Sequence, residues 1–122
     1  MLYSELTQKV IGAAINVYNT LGFGFLEKVY ENYLMIELES FRLRAIQQHP
    51  SKVFYKEKLV GDYVADIIVE DKVILERKSI ENLDKIHEVQ LVNYLKAVNI
   101  EVGMLLNFGK EKLEFKRKVL NL

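Results

Sequence analysis

The hydrophobic periodicity of the chain changes from helical to strand-like after its first third, and this change constrains the fold more than any other feature. Apolar residues first recur at helical spacing and later form short β-branched and aromatic runs. The predicted elements, in chain order, are helices at residues 5–21 and 26–41, strands at 52–59, 63–69 and 73–77, a helix at 84–98, and strands at 101–107 and 113–120. The order is therefore ααβββαββ. We expect Ser4 to cap the first helix, Gly22 to end it, and residues 60–62 to form the first turn between strands.

The third predicted helix lies between two strands, and this placement determines the kind of sheet. A strand, a helix and a strand in that order imply one parallel pair within an otherwise antiparallel sheet. We therefore expect the α/β class, with a mixed β-sheet flanked by helices. The length of 122 residues suits one domain spanning residues 1–122, and 50% hydrophobic residues, with seven Tyr and six Phe, supply its core.

Two absences in the sequence narrow the chemistry and the location. The chain has no cysteine, which excludes disulfides, iron–sulfur sites and thiol nucleophiles. No apolar run approaches the roughly 18 residues of a membrane span, and the N-terminus lacks a signal-peptide pattern. We therefore expect a cytoplasmic protein with no membrane partner.

The formal net charge is zero, with 17 basic and 17 acidic side chains, but the charge is unevenly distributed. Residues 107–122 contain five basic side chains against two acidic ones. Such a segment is either the solvated surface of a terminal strand or an edge that contacts phosphates. The candidate nucleic-acid-binding residues are Lys116, Arg117 and Lys118.

A carboxylate interrupts the most apolar of the predicted strands. Asp66 lies within the run Tyr-Val-Ala-Asp-Ile-Ile-Val, where burial without a partner is costly. On the next strand Glu76 and Lys78 are two residues apart and so share one face. Asp66 lies opposite Glu76 if the turn has three residues, 70–72, and opposite Leu75 if it has two. The absence of Asn-Gly or Asp-Gly favours the longer turn. The residues then expected on the other face are Ala65, Ile67, Val73 and Leu75.

Two carboxylates that converge in this way have two interpretations. A divalent cation between them relieves their repulsion, and hard oxygen ligands without cysteine or a nearby histidine pair suit Mg²⁺ or Mn²⁺. Such an ion activates water and stabilises charge on a phosphate under attack, as phosphodiester hydrolysis requires. The alternative is an ordinary ion pairing of Asp66, Lys78 and Glu76 across a hairpin. Spacing alone leaves both interpretations open.

The predicted helices carry further polar candidates. Glu27 and Glu31 lie one turn apart at the start of the second helix, where the helix dipole alone also favours carboxylates. Gln90 and Tyr94 lie one turn apart on the third helix, and His87 lies one turn before Gln90. A solvated helix face explains these third-helix residues about as well as a functional site does.

Four motifs follow one another in the order of the predicted elements. Residues 24–30 read Gly-Phe-Leu-Glu-Lys-Val-Tyr, Asp66 is followed by Glu-Arg-Lys at residues 76–78, and residues 90–94 read Gln-Leu-Val-Asn-Tyr. Together they resemble the PD-(D/E)XK nuclease superfamily, in particular its small Gly-x-x-Glu-x-x-Tyr proteins, and the last motif is similar to that of RecB-like members. The proline that usually precedes the aspartate is replaced by Ala65. The resemblance extends over nearly the whole chain.

The resemblance implies a restriction-endonuclease-like fold and a set of residue roles. The implied metal ligands are Glu27, Asp66, Glu76 and the backbone carbonyl of Arg77. Lys78 is implied to orient or polarise the attacking water, while Gln90 and Tyr94 position the substrate or the lysine. The expected function is a Mg²⁺- or Mn²⁺-dependent nuclease that hydrolyses phosphodiester bonds in DNA through a metal-activated water. The alternative is a catalytically inactive nucleic-acid-binding or protein-interaction module, and a homodimer is one arrangement of either.

Overall fold

The computed structural model describes residues 2–120, and it contains the eight expected elements in the expected order. The helices are α1 (Ser4–Leu21), α2 (Glu27–Ser40) and α3 (Lys85–Val98). The strands are β1 (Ala45–Tyr55), β2 (Lys58–Val69), β3 (Val73–Lys78), β4 (Val102–Asn107) and β5 (Glu114–Val119). The prediction of a mixed α/β fold in the order ααβββαββ is confirmed.

The five strands form one sheet in the order β1-β2-β3-β4-β5. Strands β3 and β4 are parallel, with Val73 opposite Val102, and the other neighbours are antiparallel. Helix α3 provides the crossover between the parallel pair, as the order of elements predicted. The parallel pair places the ends of β3 and β4 together, so that Lys78 lies opposite Asn107.

Apolar side chains cover both faces of the sheet. Helices α1 and α2 pack on one face, where the buried cluster includes Val10, Leu34, Ile67 and Leu75. Helix α3 packs on the other face, where Leu91 and Leu95 contact a second cluster that includes Ala65, Ile74 and Leu105. Because both faces are covered, strand β4 is buried along its whole length.

The first hairpin is longer than the sequence pattern indicated, and its turn lies elsewhere. Strand β1 begins at Ala45, seven residues before the expected start, and the turn is at Lys56 and Glu57 instead of residues 60–62. Both turn residues have left-handed backbone angles, with φ of 48° and 66°, which suits a two-residue hairpin turn. Gly61 is instead a strand residue opposite Val53.

The distal part of this hairpin, residues 50–64, extends beyond β3 as a two-stranded ribbon, which we call the hairpin arm. Strand β3 pairs with β2 at Ile67, Ile68 and Val69, whereas β2 pairs with β1 as far as the hairpin turn. Large apolar side chains near the tip of the arm are exposed; they are Phe54, Tyr55, Leu59 and Val60.

Two smaller expectations concern the first helix and the membrane. Ser4 is the first residue of α1 and not its cap, because Tyr3 occupies the N-cap position, whereas Gly22 ends the helix with φ of 70° as expected. Of the helices within residues 2–120, none combines the length and the apolar character that crossing a bilayer requires.

Candidate active site

The Gly-x-x-Glu-x-x-Tyr motif forms a fixed connector between the first two helices. The buried Tyr30 hydroxyl donates a 2.7 Å hydrogen bond to the carbonyl of Gly22 and accepts one of 3.1 Å from the backbone N–H of Phe25. Gly24 has φ of 101°, which side chains disfavour. The tyrosine ring also stacks on Phe108, with centroids 4.6 Å apart. The motif therefore fixes where α2 begins, and Glu27 is the first residue of that helix.

The hairpin between β2 and β3 has the longer of the two predicted turns. Val69 pairs with Val73 across residues 70–72, and Ile67 pairs with Leu75, so the same register brings Asp66 and Glu76 to neighbouring positions. The backbone N–H of Arg77 donates a 2.9 Å hydrogen bond to Oδ2 of Asp66. The predicted three-residue turn is therefore confirmed.

Ala65 does not lie on the face that the regular alternation of this strand predicted. It packs in the cluster beneath α3, whereas Ile67 packs on the side of α1 and α2. The pairing with β1 explains the change, because Gln47 lies opposite Ile67 and His49 opposite Ala65, while the intervening Gln48 has φ of 52°. The strand is therefore irregular at Asp66, beside the candidate site.

Glu76 is nearly buried, with 8% of its surface exposed, and it faces α3. The Tyr63 hydroxyl donates a hydrogen bond to its carboxylate, and the Tyr63 ring stacks on Tyr94 of α3, with centroids 4.1 Å apart. Burial raises the pKa of Glu76 to about 7, although the positive charges of Lys78 and Arg77 oppose that shift. A carboxylate with this pKa is well suited to a bound cation or to proton transfer near neutral pH.

A cavity of about 360 Å³ between β2, β3 and α3 contains four of the six predicted catalytic residues. Its polar lining includes Glu76, Lys78, Gln90 and Tyr94. Lys78 and Glu76 come from β3, whereas Gln90 and Tyr94 come from consecutive turns of α3. The predicted strand and helix motifs therefore meet at one cavity.

The other two predicted catalytic residues, Glu27 and Asp66, do not line this cavity and instead contact Arg77 on the α2 side. The prediction that the Asp66 carboxylate shares the face of Glu76 and Lys78 is therefore wrong, because the strand is irregular at this residue. Nη1 of Arg77 lies 3.2 Å from Oε1 of Glu27 and 3.7 Å from Oδ2 of Asp66. Burial raises the pKa of Asp66, and the Arg77 N–H and guanidinium offset part of that effect. The side chain of Arg77 thus joins α2 to the hairpin, a role that the sequence pattern did not indicate.

Glu31 also contacts Arg77, so Glu27, Glu31 and Asp66 form an acidic cluster around this side chain. The Glu31 side chain is fully buried. It accepts hydrogen bonds from Gln47, from Gln48 at 2.9 Å and from Lys28 at 2.8 Å, and it lies 3.1 Å from Nη2 of Arg77. Burial alone would raise the pKa of Glu31, but hydrogen bonds from Lys28 and Gln47, with the charge of Arg77, lower it below its ordinary value. Glu31 is therefore a charged structural anchor. Its four partners come from three elements, so helical spacing could not reveal the role.

The oxygen donors suit a divalent cation by their chemistry. Asp66 and Glu76 are hard donors on neighbouring strands, and a cation would stabilise the charged forms that burial disfavours. Within residues 2–120, however, no three His, Cys, Asp or Glu side chains are grouped so that they could hold a metal ion. The guanidinium group of Arg77 neutralises Glu27 and Glu31.

The loop after Lys78 is fixed by Asn107, a fully buried residue at the end of β4. Oδ1 of Asn107 accepts a 3.0 Å hydrogen bond from the N–H of Ile80, and Nδ2 donates one of 3.0 Å to the Ile80 carbonyl. The Lys78 carbonyl accepts a 2.9 Å hydrogen bond from the N–H of Phe108. Ser79 donates a 3.1 Å hydrogen bond to the Phe25 carbonyl and so connects this loop to the segment between α1 and α2.

His87 has a local structural role at the start of α3. Its Nδ1 accepts a 3.0 Å hydrogen bond from the N–H of Asp84, the N-cap residue, as half of a capping box. The ring also borders the cavity. Asp84 was the expected cap of this helix, and that prediction is confirmed.

The three basic candidates on β5 lie on both faces of the strand. Lys116 and Lys118 are paired with Leu105 and Gly103, and Arg117 with Met104. Because Leu105 packs beneath α3 and Met104 beneath the other helices, the two lysines share the α3 side. Lys118 forms a 2.8 Å ion pair with Glu88, Arg117 donates a hydrogen bond to the Leu2 carbonyl, and Lys116 is exposed.

Comparisons with known proteins agree with this architecture. The PD-(D/E)XK nuclease superfamily matches residues 4–118, and the chain therefore belongs to that superfamily. The crystal structure of SSO0001 is similar in fold, with a TM-score of 0.60 and 17% sequence identity. The alignment covers 98% of this chain and 61% of that protein, so the chain spans less than two thirds of its length. A search of curated proteins found no match.

Proposed function

We propose that the protein is a metal-dependent nuclease that hydrolyses phosphodiester bonds in DNA, acting in the cytoplasm. The observation that carries this proposal is the cavity in which Glu76 and Lys78 meet Gln90 and Tyr94, with Asp66 beside Glu76 on the neighbouring strand. Membership of a nuclease superfamily supports the same class of reaction. A homodimer stays a prediction, which light scattering of the purified chain tests.

The residues that would hold Mg²⁺ or Mn²⁺ are Asp66, Glu76, Glu27 and the backbone carbonyl of Arg77. When bound, such an ion lowers the pKa of a water and stabilises the charge that develops on the phosphate. Glu76 is held by Tyr63 and Asp66 by the Arg77 N–H, so both carboxylates are oriented before substrate binds.

Lys78 and the helix residues supply the remaining roles. Lys78 shares the face of Glu76, and its ammonium group is suited to orienting the attacking water and stabilising negative charge on the phosphate. Gln90 and Tyr94 lie across the cavity on α3, where the amide and hydroxyl are suited to positioning the substrate or the lysine. Stacking of Tyr63 on Tyr94 fixes the separation of helix and sheet at this point.

Basic and aromatic side chains beside the cavity favour a nucleic acid as the substrate. Residues 62–64 at the base of the hairpin arm line the cavity. Towards its tip the arm carries Lys52, Lys56 and Lys58 together with exposed Phe54 and Tyr55. Lysines neutralise phosphates and aromatic rings stack on bases, a combination typical of surfaces that bind single strands. We infer that Lys116 and Lys118 add to this attraction from the α3 side of β5, whereas Arg117 lies on the other side of the strand.

A catalytically inactive nucleic-acid-binding module is the second candidate function. The observation that favours it is the set of ion pairs by which Arg77 already neutralises the acidic cluster. Such a module would bind DNA equally well with and without a divalent ion and would not cut it.

The experiment that separates the two functions is a cleavage assay on supercoiled plasmid and on single-stranded DNA in Mg²⁺, in Mn²⁺ and in EDTA. We expect cleavage in either metal and none in EDTA. Lys78→Ala is expected to lose about 100-fold or more of the rate, whereas Lys9→Ala, at an exposed position on α1, retains it. Binding without cleavage by the wild type would favour the inactive module, and equal cleavage by Lys78→Ala would remove Lys78 from the mechanism.

A further inference from the structure

The guanidinium group of Arg77 lies among three carboxylates that it binds with different strength. Nη2 is 3.1 Å from Oε1 of Glu31, Nη1 is 3.2 Å from Oε1 of Glu27, and Nη1 is 3.7 Å from Oδ2 of Asp66. Nε donates a further hydrogen bond of 3.2 Å to Glu31. The Arg77 side chain is 18% exposed. This charge is therefore largely shielded from water. Ion pairs shielded in this way are stronger than ion pairs at the surface.

Two of these three carboxylates are also ligands in the proposed metal site. A divalent cation that used the carboxylate oxygens facing the guanidinium would have to displace it, and a cation on the opposite oxygens would be repelled by its positive charge. Glu31 differs, because its hydrogen bonds from Gln48 and Lys28 hold it in place independently of Arg77. Arg77 therefore keeps Glu31 as a partner in every state, whereas a metal ion would compete with it for Glu27 and Asp66.

We propose that the side chain of Arg77 is a built-in competitor of the divalent cation. In the metal-free protein it holds Glu27 and Asp66, and metal binding at the same oxygens requires it to release both while it stays on Glu31. Arg77 is thus a positioning residue, and the competition sets the metal concentration at which the site fills. This inference rests on the proposed metal-dependent function.

The geometry makes such a release practicable. The contact with Asp66 is the longest of the ion pairs at 3.7 Å, and Asp66 keeps its hydrogen bond from the Arg77 backbone N–H when the side chain moves. The Glu27 side chain is 37% exposed, so water can solvate it during the exchange. Glu31, which is fully buried, would keep Lys28 as a cationic partner if the arginine were absent but would lose the second positive charge beside it.

The test measures Mn²⁺ binding directly, from the electron paramagnetic resonance signal of free Mn²⁺, with no nucleic acid present. Arg77→Met removes the competing charge, so the Mn²⁺ dissociation constant is expected to fall about tenfold or more. Lys28→Met is the matched control, because Lys28 contacts Glu31 at 2.8 Å and its side chain is 54% exposed. We expect its Mn²⁺ affinity to equal that of the wild type.

A second pair of variants covers the case in which Arg77→Met fails to fold because Glu31 is left charged and buried. Glu31→Gln and Glu31→Gln/Arg77→Met differ by the same arginine, and neither has that buried charge. The double variant is expected to bind Mn²⁺ about tenfold or more tightly than Glu31→Gln.

Each outcome of these measurements decides the inference. Tighter Mn²⁺ binding by the arginine-free member of each pair than by its partner, with measurable binding by the wild type, would support it. Unchanged or weaker Mn²⁺ affinity in both pairs would overturn it, while metal-dependent cleavage by the wild type would leave the proposed function standing. Absence of Mn²⁺ binding in every protein would contradict the competition and the metal-dependent function together.

Discussion

The backbone N–H of Arg77 donates a 2.9 Å hydrogen bond to Oδ2 of Asp66, while the carboxylate of the preceding residue, Glu76, points into the cavity beneath α3. Glu76 and Arg77 are consecutive in β3. The first lines the cavity beneath α3, and the second holds the carboxylate of Asp66. The hydrogen bond uses the main chain, so any residue except proline can form it at position 77. The register of the β2–β3 hairpin, and not the side chain at position 77, therefore determines where the Asp66 carboxylate lies.

The raised pKa of Glu76 predicts a specific dependence of stability on pH. The folded protein holds this proton up to about pH 7, whereas an unfolded glutamate releases it near 4.5. The folded state thus binds more protons in this window, so the free energy of unfolding falls as pH rises from about 4.5 to 7. Glu76→Gln removes this pH dependence. Between pH 4.5 and pH 8 the wild type should therefore lose at most about 3 kcal/mol more of its free energy of unfolding than Glu76→Gln does.

Urea unfolding in EDTA at pH 4.5 and pH 8 measures this difference. Glu57→Gln, in the exposed turn of the hairpin arm, serves as the control and should follow the wild type at both pH values. If Glu76→Gln shows the same pH dependence as the wild type, Glu76 is not the group responsible.

The packing of Gly109 against the loop after β3 gives a prediction about stability alone. A Cβ at this position would lie 2.2 Å from the backbone N and O of Ile80, and backbone cannot yield as a flexible side chain can. We expect Gly109→Ala to lower the free energy of unfolding by about 2 kcal/mol and, by displacing the loop, to reduce cleavage. Gly61→Ala meets nothing within 4 Å and is expected to change stability by less than about 1 kcal/mol. Equal melting temperatures for the two variants would contradict this account of the loop.

The order of elements and the hairpin register could be predicted from the sequence because both follow from local patterns. Hydrophobic period distinguishes helices from strands, and the absence of a tight-turn dipeptide indicated three residues between Val69 and Val73. The first turn was misplaced because Lys56 and Glu57 have left-handed backbone angles without glycine or asparagine to signal them. Gly61, which looked like a turn, lies within β2.

The acidic cluster around Arg77 could not be predicted, because its partners are distant in sequence. Glu31 receives hydrogen bonds from Gln47, Gln48 and Arg77, which lie 16 to 46 residues further along the chain. Helical spacing placed Glu31 on a face with Glu27 but gave no sign that it is fully buried. Tyr63 was likewise overlooked, since an aromatic residue in a strand usually serves packing and gives no sign of a hydrogen bond to Glu76.

The positions of the basic residues on β5 predict unequal contributions to DNA binding. Lys116 and Lys118 share the side of the sheet that carries α3 and the cavity, whereas Arg117 lies on the other side. Lys116→Gln and Lys118→Gln should each reduce the slope of log affinity against log salt concentration by about one at most. Arg117→Gln should leave it unchanged. Fluorescence anisotropy of labelled single-stranded DNA in EDTA measures the slopes. Slopes equal to that of the wild type in all three variants would show that β5 is a solvated surface.

The most direct test of the metal site is the effect of Mg²⁺ on the melting temperature of the wild type and of Asp66→Asn. At a free Mg²⁺ concentration about ten times its dissociation constant, we expect the wild type to gain roughly 1.4 kcal/mol, or about 5 °C. Asp66→Asn, which keeps an acceptor for the Arg77 N–H, should melt within a few degrees of the metal-free wild type and show no Mg²⁺ shift. Asp71→Asn, at an exposed position with φ of 58° that asparagine tolerates, should keep the full shift. A wild type without any Mg²⁺ shift at millimolar metal, together with a marked loss of stability in Asp66→Asn, would instead identify Asp66 as a structural ion-pair residue and contradict the metal-dependent function.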